Sequence, residues 1–160
     1  MTMRWVAPAL CLALGMAVPA RAQRTGGAPR IVVLQASTTV TASADGTTTF
    51  GLGSVRTGLC VLDVTNVSGT LPTLDVYLQA QPDGTTDSDY VHFAQAIAAS
   101  KIRAAFNVYQ ASPASAAVTD GTAGVQNGAG PLGDRLKVRA VVGGTTPSFT
   151  YTVTCSVSDS

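Results

Sequence analysis

The sequence predicts an all-β protein, a single domain with an antiparallel β-sandwich or jelly-roll-like fold. Short runs alternate apolar with polar residues, as strands with one buried face do. Thr-rich segments are separated by Gly, Pro and Asp, which favour turns. The chain has 160 residues, only 12% of them charged, and its nine acidic residues are all Asp. Because Glu is absent and Lys is scarce, the usual residues of helix surfaces are missing.

Residues 1–22 are predicted to be a secretory signal peptide. Arg4 supplies the positive start, residues 5–18 form an uncharged, mostly apolar stretch, and Ala20-Arg21-Ala22 is typical of a cleavage site. An uncleaved anchor is the alternative, but a spanning helix needs about 20 apolar residues. We therefore expect a secreted or periplasmic protein that meets the membrane only during export.

The first half of the mature chain is predicted to form strands joined by turns. Residues 23–30 form a Gly-rich flexible leader, and the β-branched residues 31–34 begin the domain, which we expect to span 31–158. Residues 38–43 and 47–52 flank Asp45-Gly46, a pattern typical of a β-hairpin.

Two further strands are predicted at residues 59–67 and 74–79. Residues 68–72 would be the turn between them, and residues 81–84 a second turn, because Pro and Gly stand at suitable places.

The second half is less regular at first. Residues 89–100 are interpreted as a strand that runs into a loop, with a helix over residues 94–99 as the alternative. Alternation returns at residues 102–108, and residues 111–131, rich in Ala, Gly and Ser, are predicted to form a long surface loop. The final strands cover residues 136–142 and 149–157.

A short motif occurs twice in the chain. Gly69-Thr70-Leu71-Pro72 recurs as Gly144-Thr145-Thr146-Pro147, each time between strands. We interpret this as two similar hairpins, one in each half of a sandwich. When the two copies are aligned, the apolar positions of the preceding strands do not coincide, because Val138 aligns with Asp63. A β-bulge in one strand would explain this difference.

Two cysteines remain once Cys11 leaves with the signal peptide. Cys60 and Cys155 lie on apolar strand faces, and an even pair in an exported protein indicates one disulfide. Two buried free thiols are the alternative.

Candidates for catalysis are few. His92 is the only histidine and could act as a base oriented by Asp89. No Gly-x-Ser-x-Gly nucleophile elbow accompanies it, and one His with a paired Cys cannot supply a zinc ligand set. We therefore expect a protein that is not an enzyme.

Calcium is the one cofactor that the sequence suggests. Asp83, Asp87 and Asp89 lie around the turn at residues 81–84, and carboxylate oxygens suit Ca²⁺. The alternative is that Asp simply favours turns.

Two sets of side chains could bind a partner. Arg135, Lys137 and Arg139 form a basic stripe on one strand face, suited to an anionic partner, unless it is an ordinary solvated face that prevents edge pairing. Tyrosine rings can stack on sugars, or pack across strands instead. The candidate tyrosines are Tyr77, Tyr90 and Tyr109.

The charge balance argues against nucleic acid and anionic membranes as ligands. Without Arg4 and Arg21 the mature chain keeps eight basic residues against nine acidic ones. Nucleic-acid binding needs many phosphate contacts, which a nearly neutral protein does not favour.

Several turn-rich stretches resemble small all-β structural proteins of tailed phages and prophages. They are residues 62–76 followed by Pro82-Asp83-Gly84, residues 132–139 and residues 143–150. The resemblance implies a non-enzymatic β-sandwich that assembles with, or decorates, a larger particle. The signal peptide and the disulfide depart from that pattern, since virion components made in the cytoplasm need neither.

Together these observations predict an exported, non-catalytic module that acts through its surface in structure or adhesion. Its partner would be a protein, a cell-surface or glycan ligand, or further copies of itself. A secreted carbohydrate-binding module is the alternative, and a small hydrolase using His92 is a third possibility.

Overall fold

The computed structural model describes residues 28–81, 84–108 and 132–159, and within these ranges the regular structure consists of β-strands. The all-β prediction is confirmed. No membrane-crossing helix is found among the described residues. The predicted signal peptide, most of the leader and the loop at residues 111–131 lie outside them. The strands are β1 (Arg30–Val40), β2 (Ala44–Phe50), β3 (Thr57–Ala80), β4 (Ser88–His92), β5 (Ser100–Asn107) and β6 (Arg135–Ser158).

The centre of the fold is the antiparallel pair of β3 and β6, each 24 residues long. Their pairing runs from Thr57 opposite Ser158 to Ala80 opposite Leu136. The separate strands predicted at residues 59–67 and 74–79 are therefore one strand, and so are the two predicted at the C-terminal end.

The other four strands lie along the outer edges of this pair. β1 and β2 both pair with β6, whereas β4 and β5 both pair with β3. All six strands belong to one sheet, which curls into a half-barrel. The two layers expected of a sandwich are thus two halves of one sheet. The disulfide half contains β1, β5 and the ends of β3 and β6 nearest Cys60. The charged half contains β2, β4 and the opposite ends.

The hairpin predicted around Asp45-Gly46 is wrong. β1 and β2 run in the same direction along β6, because both are antiparallel to it. Gly46 lies inside β2, next to a register shift between Asp45 and Thr48. A Cβ at Gly46 would lie 3.2 Å from the Val138 carbonyl oxygen and would displace the end of the Gln35 side chain, so glycine here relieves crowding inside a strand and does not reverse the chain.

The repeated Gly-Thr-x-Pro motif is a bend in each central strand, not a turn between strands. Pairing continues on both sides of it, since Ser68 lies opposite Ser148 and Thr73 opposite Gly143. Gly69 and Gly144 have φ angles of 113° and 106°, a region that side chains rarely adopt. A Cβ on Gly69 would lie 2.7 Å from the Thr146 oxygen.

A register shift in β3 explains the phase difference between the two copies. It lies between Val64 and Asn66, so Thr65 is an extra residue and the bulge interpretation is consistent with the ladder. Once Thr65 is skipped, the buried positions of the two strands correspond. In β3 they are Cys60, Leu62 and Val64, and in β6 they are Leu136, Val138 and Ala140.

The core collects apolar side chains from both halves of the sheet into one cluster. Tyr90 of β4 meets Phe106 of β5 edge to face, with ring centroids 5.8 Å apart, and so joins the two halves. Cys60 and Cys155 lie opposite each other in the ladder, are fully buried and form a disulfide. This bond links the two central strands through residues that are 95 positions apart in sequence.

We predict that Gly69→Ala and Gly144→Ala each lower the free energy of unfolding by about 2–4 kcal/mol, because the new Cβ meets backbone in a strained conformation. Gly53→Ala is the matched control, since its Cβ would have no neighbour closer than 3.6 Å. Urea unfolding measures all three variants. Bend variants as stable as the control would contradict the strained bend.

Candidate functional site

The outer surface of the charged half carries most of the predicted site residues. Along β6, Arg135, Lys137 and Arg139 alternate with the buried Leu136 and Val138, because successive side chains of a strand point to opposite faces. The predicted basic stripe therefore exists as an outward-facing row, but its three members have different surroundings.

Lys137 is the centre of an ion-pair cluster. Its Nζ lies 3.1 Å from Asp45 Oδ2 on β2 and is also hydrogen-bonded to Asp87, just before β4. Its side chain is only 12% exposed. Lys137 is thus neutralised by two carboxylates and is not a free cation for an anionic partner.

The two arginines of the row differ in exposure and in partners. Arg135 donates from Nη1 to the Gly84 carbonyl oxygen at 2.9 Å, and its guanidinium lies 5.0 Å from the centre of the Phe50 ring. Arg139 is exposed and makes no ion pair with any described residue. Of the row, Arg139 is the member available to a ligand.

The ion-pair cluster shifts the protonation of both partners. The hydrogen bond from Lys137 lowers the pKa of Asp87, and that same bond raises the pKa of Lys137. Asp87 therefore adds stability above its unfolded pKa of about 3.9, and loses that contribution as the pH falls through its lower folded pKa. The contribution of Lys137 is complete below about pH 10.4 and is lost as the pH rises through its higher folded pKa.

The carboxylates expected to hold calcium have other partners. Asp87 accepts hydrogen bonds from Lys137 and from Gln81, and Asp89 accepts one from Gln79 Nε2 at 2.7 Å. Asp83 lies outside the described residues. Within the described ranges, no group of three His, Cys, Asp or Glu side chains could hold a metal ion.

His92 pairs with a different carboxylate from the one predicted. Its Nε2 lies 3.2 Å from Asp75 Oδ1, whereas Asp89 is bonded to Gln79, so the expected orientation by Asp89 is wrong. The reason is the sheet register, which places His92 opposite Tyr77 and next to Asp75. His92 is buried, with 7% of the residue exposed, and its imidazole stacks on the Tyr77 ring with the ring centroids 4.1 Å apart.

Two of the three tyrosines proposed to stack on sugars are buried. Tyr77 and Tyr90 are 6% and 3% exposed, which corrects the expectation that their rings are free. Burial raises the pKa of Tyr90 to about 12. Tyr109 lies outside the described residues.

Two polar clefts open beside β2 and share Asp45. The first, about 400 Å³, we call the charged cleft. The second, about 500 Å³, lies where β1 ends and β2 begins, and we call it the hydroxyl cleft. The charged cleft is lined by Ser43, Asp45, Gln79, Asp87, Lys137 and Arg139. The hydroxyl cleft is lined by Gln35, Thr38, Thr39, Asp45, Thr47 and Tyr151.

The outer surface of the disulfide half carries exposed apolar side chains near β1. Ile31, Val33 and Leu59 are 76%, 57% and 48% exposed, and we call them the apolar face. Ile31 and Leu59 flank Ser156 in one row across the sheet. β1 is the outermost strand here, so this face reaches the edge of the sheet. This face is not among the sites predicted from the sequence, although the apolar run at residues 31–34 contains its signal.

Comparisons with known proteins give little beyond the fold. No family model matches the chain. No curated protein matches it either. The crystal structure of the SPBc2 prophage-derived protein YomS is similar, with a TM-score of 0.43 and 12% identity over 81% of this chain and 92% of that one. Its prophage origin agrees with the resemblance noted in the sequence, but similarity at this level carries no argument about function.

We predict that Asp87→Asn lowers the free energy of unfolding by about 1 kcal/mol at pH 7, because Lys137 loses one of its charged partners. The difference from the wild type should shrink as the pH falls from about 3.9, the unfolded pKa of Asp87, through its lower folded pKa, below which the carboxyl is protonated in both states. Urea unfolding at pH 7 and pH 3 measures it. Asp63→Asn is the control, since its partner Lys101 is 72% exposed and the pair should contribute little. Equal losses in both variants would contradict the role of the cluster.

Proposed function

We propose that this protein is an exported, non-catalytic β-sandwich that acts through its outer surface as a structural or adhesion module. The observation that carries the proposal is the apolar face of Ile31, Val33 and Leu59, which lies at the edge of the sheet. Its partner would be a protein or cell-surface component, or further copies of this chain.

The energetics of the apolar face support association. Fully burying one such side chain is worth about 1.5–3 kcal/mol, so three of them in neighbouring positions favour contact with another surface. β1 pairs with β6 on one side, and among the described strands none forms a ladder on its other side. An edge strand of this kind offers unpaired backbone groups to a partner.

Export is supported by two independent features. The Cys60–Cys155 disulfide suits an oxidising compartment. The predicted signal peptide at residues 1–22 supplies the route, so we place the mature protein in the periplasm or outside the cell.

The surroundings of His92 support a role without catalysis. The imidazole is buried, stacked on Tyr77 and bonded to Asp75, which is in turn held by Gln95. Such an arrangement suits a side chain that stabilises the sheet, because a general base needs access to its substrate.

A second candidate is a secreted carbohydrate-binding module. The tyrosine platform that first suggested it is absent at Tyr77 and Tyr90, since both rings are buried. The two polar clefts favour it instead, because charged and amide side chains converge there on a concave surface.

We predict that the chain from Gln23 onwards self-associates in sedimentation velocity, or pellets with an envelope fraction of its host, and that Ile31→Lys reduces this at least fivefold. The charged side chain would have to be desolvated at the interface. Ile97→Lys is the matched control, because Ile97 is 66% exposed but is not part of the apolar face. A wild-type protein that stays monomeric and pellets with no envelope fraction would contradict the proposal.

A further inference from the structure

We infer that the charged cleft binds a neutral sugar residue of a glycan chain. The inference rests on the second candidate function, carbohydrate binding, and assigns it a site and a ligand class. It is carried by the charge balance of the cleft, by a buried acceptor without a donor, and by an exposed guanidinium.

The formal charges in the cleft cancel. Asp45 and Asp87 oppose Lys137 and Arg139, so an anionic ligand that approached the arginine would also meet two carboxylates. A sugar hydroxyl both donates and accepts hydrogen bonds. It can accept one from Arg139 and donate one to Asp45, whose side chain is 57% exposed.

Gln79 presents an acceptor that the described part of the protein does not satisfy. Its Nε2 donates to Asp89 at 2.7 Å, which fixes the orientation of the amide. The Oε1 atom is buried and accepts no hydrogen bond from any described residue. An unsatisfied buried acceptor is unfavourable, so a donor supplied from the cleft would be stabilising.

The hydroxyl cleft extends the site along β2. It contains a second such acceptor, Gln35 Oε1, which also lacks a donor within the described ranges. Thr38, Thr39 and Thr47 contribute hydroxyl groups to the lining of this cleft, and Asp45 borders both clefts. Two polar clefts that share one wall fit successive residues of a chain better than an isolated monosaccharide.

The test is a glycan array that carries neutral hexose, N-acetylhexosamine and uronic-acid oligomers, probed with the chain from Gln23 onwards. We expect binding to neutral oligomers, reduced at least tenfold by Arg139→Ala and by Asp45→Asn. Arg103→Ala is the matched control and should bind like the wild type. Arg103 is an exposed arginine on β5 that pairs with Val61 of β3, and neither residue lines a cleft. Urea midpoints of the variants verify that they fold.

Each outcome separates the inference from the function on which it rests. No binding to any oligomer overturns both. Binding that survives Arg139→Ala and Asp45→Asn overturns the cleft but leaves carbohydrate binding intact. A preference for uronic-acid oligomers that is lost in Arg139→Ala overturns the neutral ligand class. None of these results bears on the apolar face, which the association assay tests separately.

Discussion

The pairing of β3 with β6 along their whole length is the constraint on which the rest of the structure depends. Both strands bend at the same level, where Gly69 and Gly144 lie among backbone atoms of the opposite strand. The bend lets one sheet curl and bury side chains from both of its halves in one core. Every other strand attaches to one of these two, so an error in this ladder would misplace all four.

The same pairing gives the molecule an approximate internal symmetry. Two short strands precede a long one twice in the chain, as β1, β2 and β3 and then as β4, β5 and β6. The short strands β1 and β2 pair with the long strand β6, and β4 and β5 pair with the long strand β3. The Cys60–Cys155 pair occupies the position that Leu136 and Ala80 occupy in the charged half. The halves therefore share a backbone plan but differ in chemistry. One has the disulfide and the apolar face of Ile31, Val33 and Leu59, and the other has the ion-pair cluster and the charged cleft. The function that we propose depends on those outer faces.

The sequence was informative where one local pattern has one structural meaning. Alternation around Leu136 and Val153 predicted strands with the correct buried face, because burial of one face imposes a period of two. The Gly-Thr-x-Pro motif predicts a turn, because a glycine with positive φ fits a turn and a bend equally well. Only the strand pairing on both sides of the motif distinguishes the two. The ion-pair partners of Lys137 could not be predicted from the sequence, because Asp45 and Asp87 are 92 and 50 residues away in the chain.

Amide hydrogen exchange tests the central pairing most directly. If β3 and β6 form one continuous unit, the amides of Leu62 and Leu78, one on each side of the bend, exchange only by global unfolding. The account predicts equal protection at both positions, matching the free energy of unfolding from urea. Protection of one position that is lower by about 2 kcal/mol or more would show that the halves open independently, and would contradict the account.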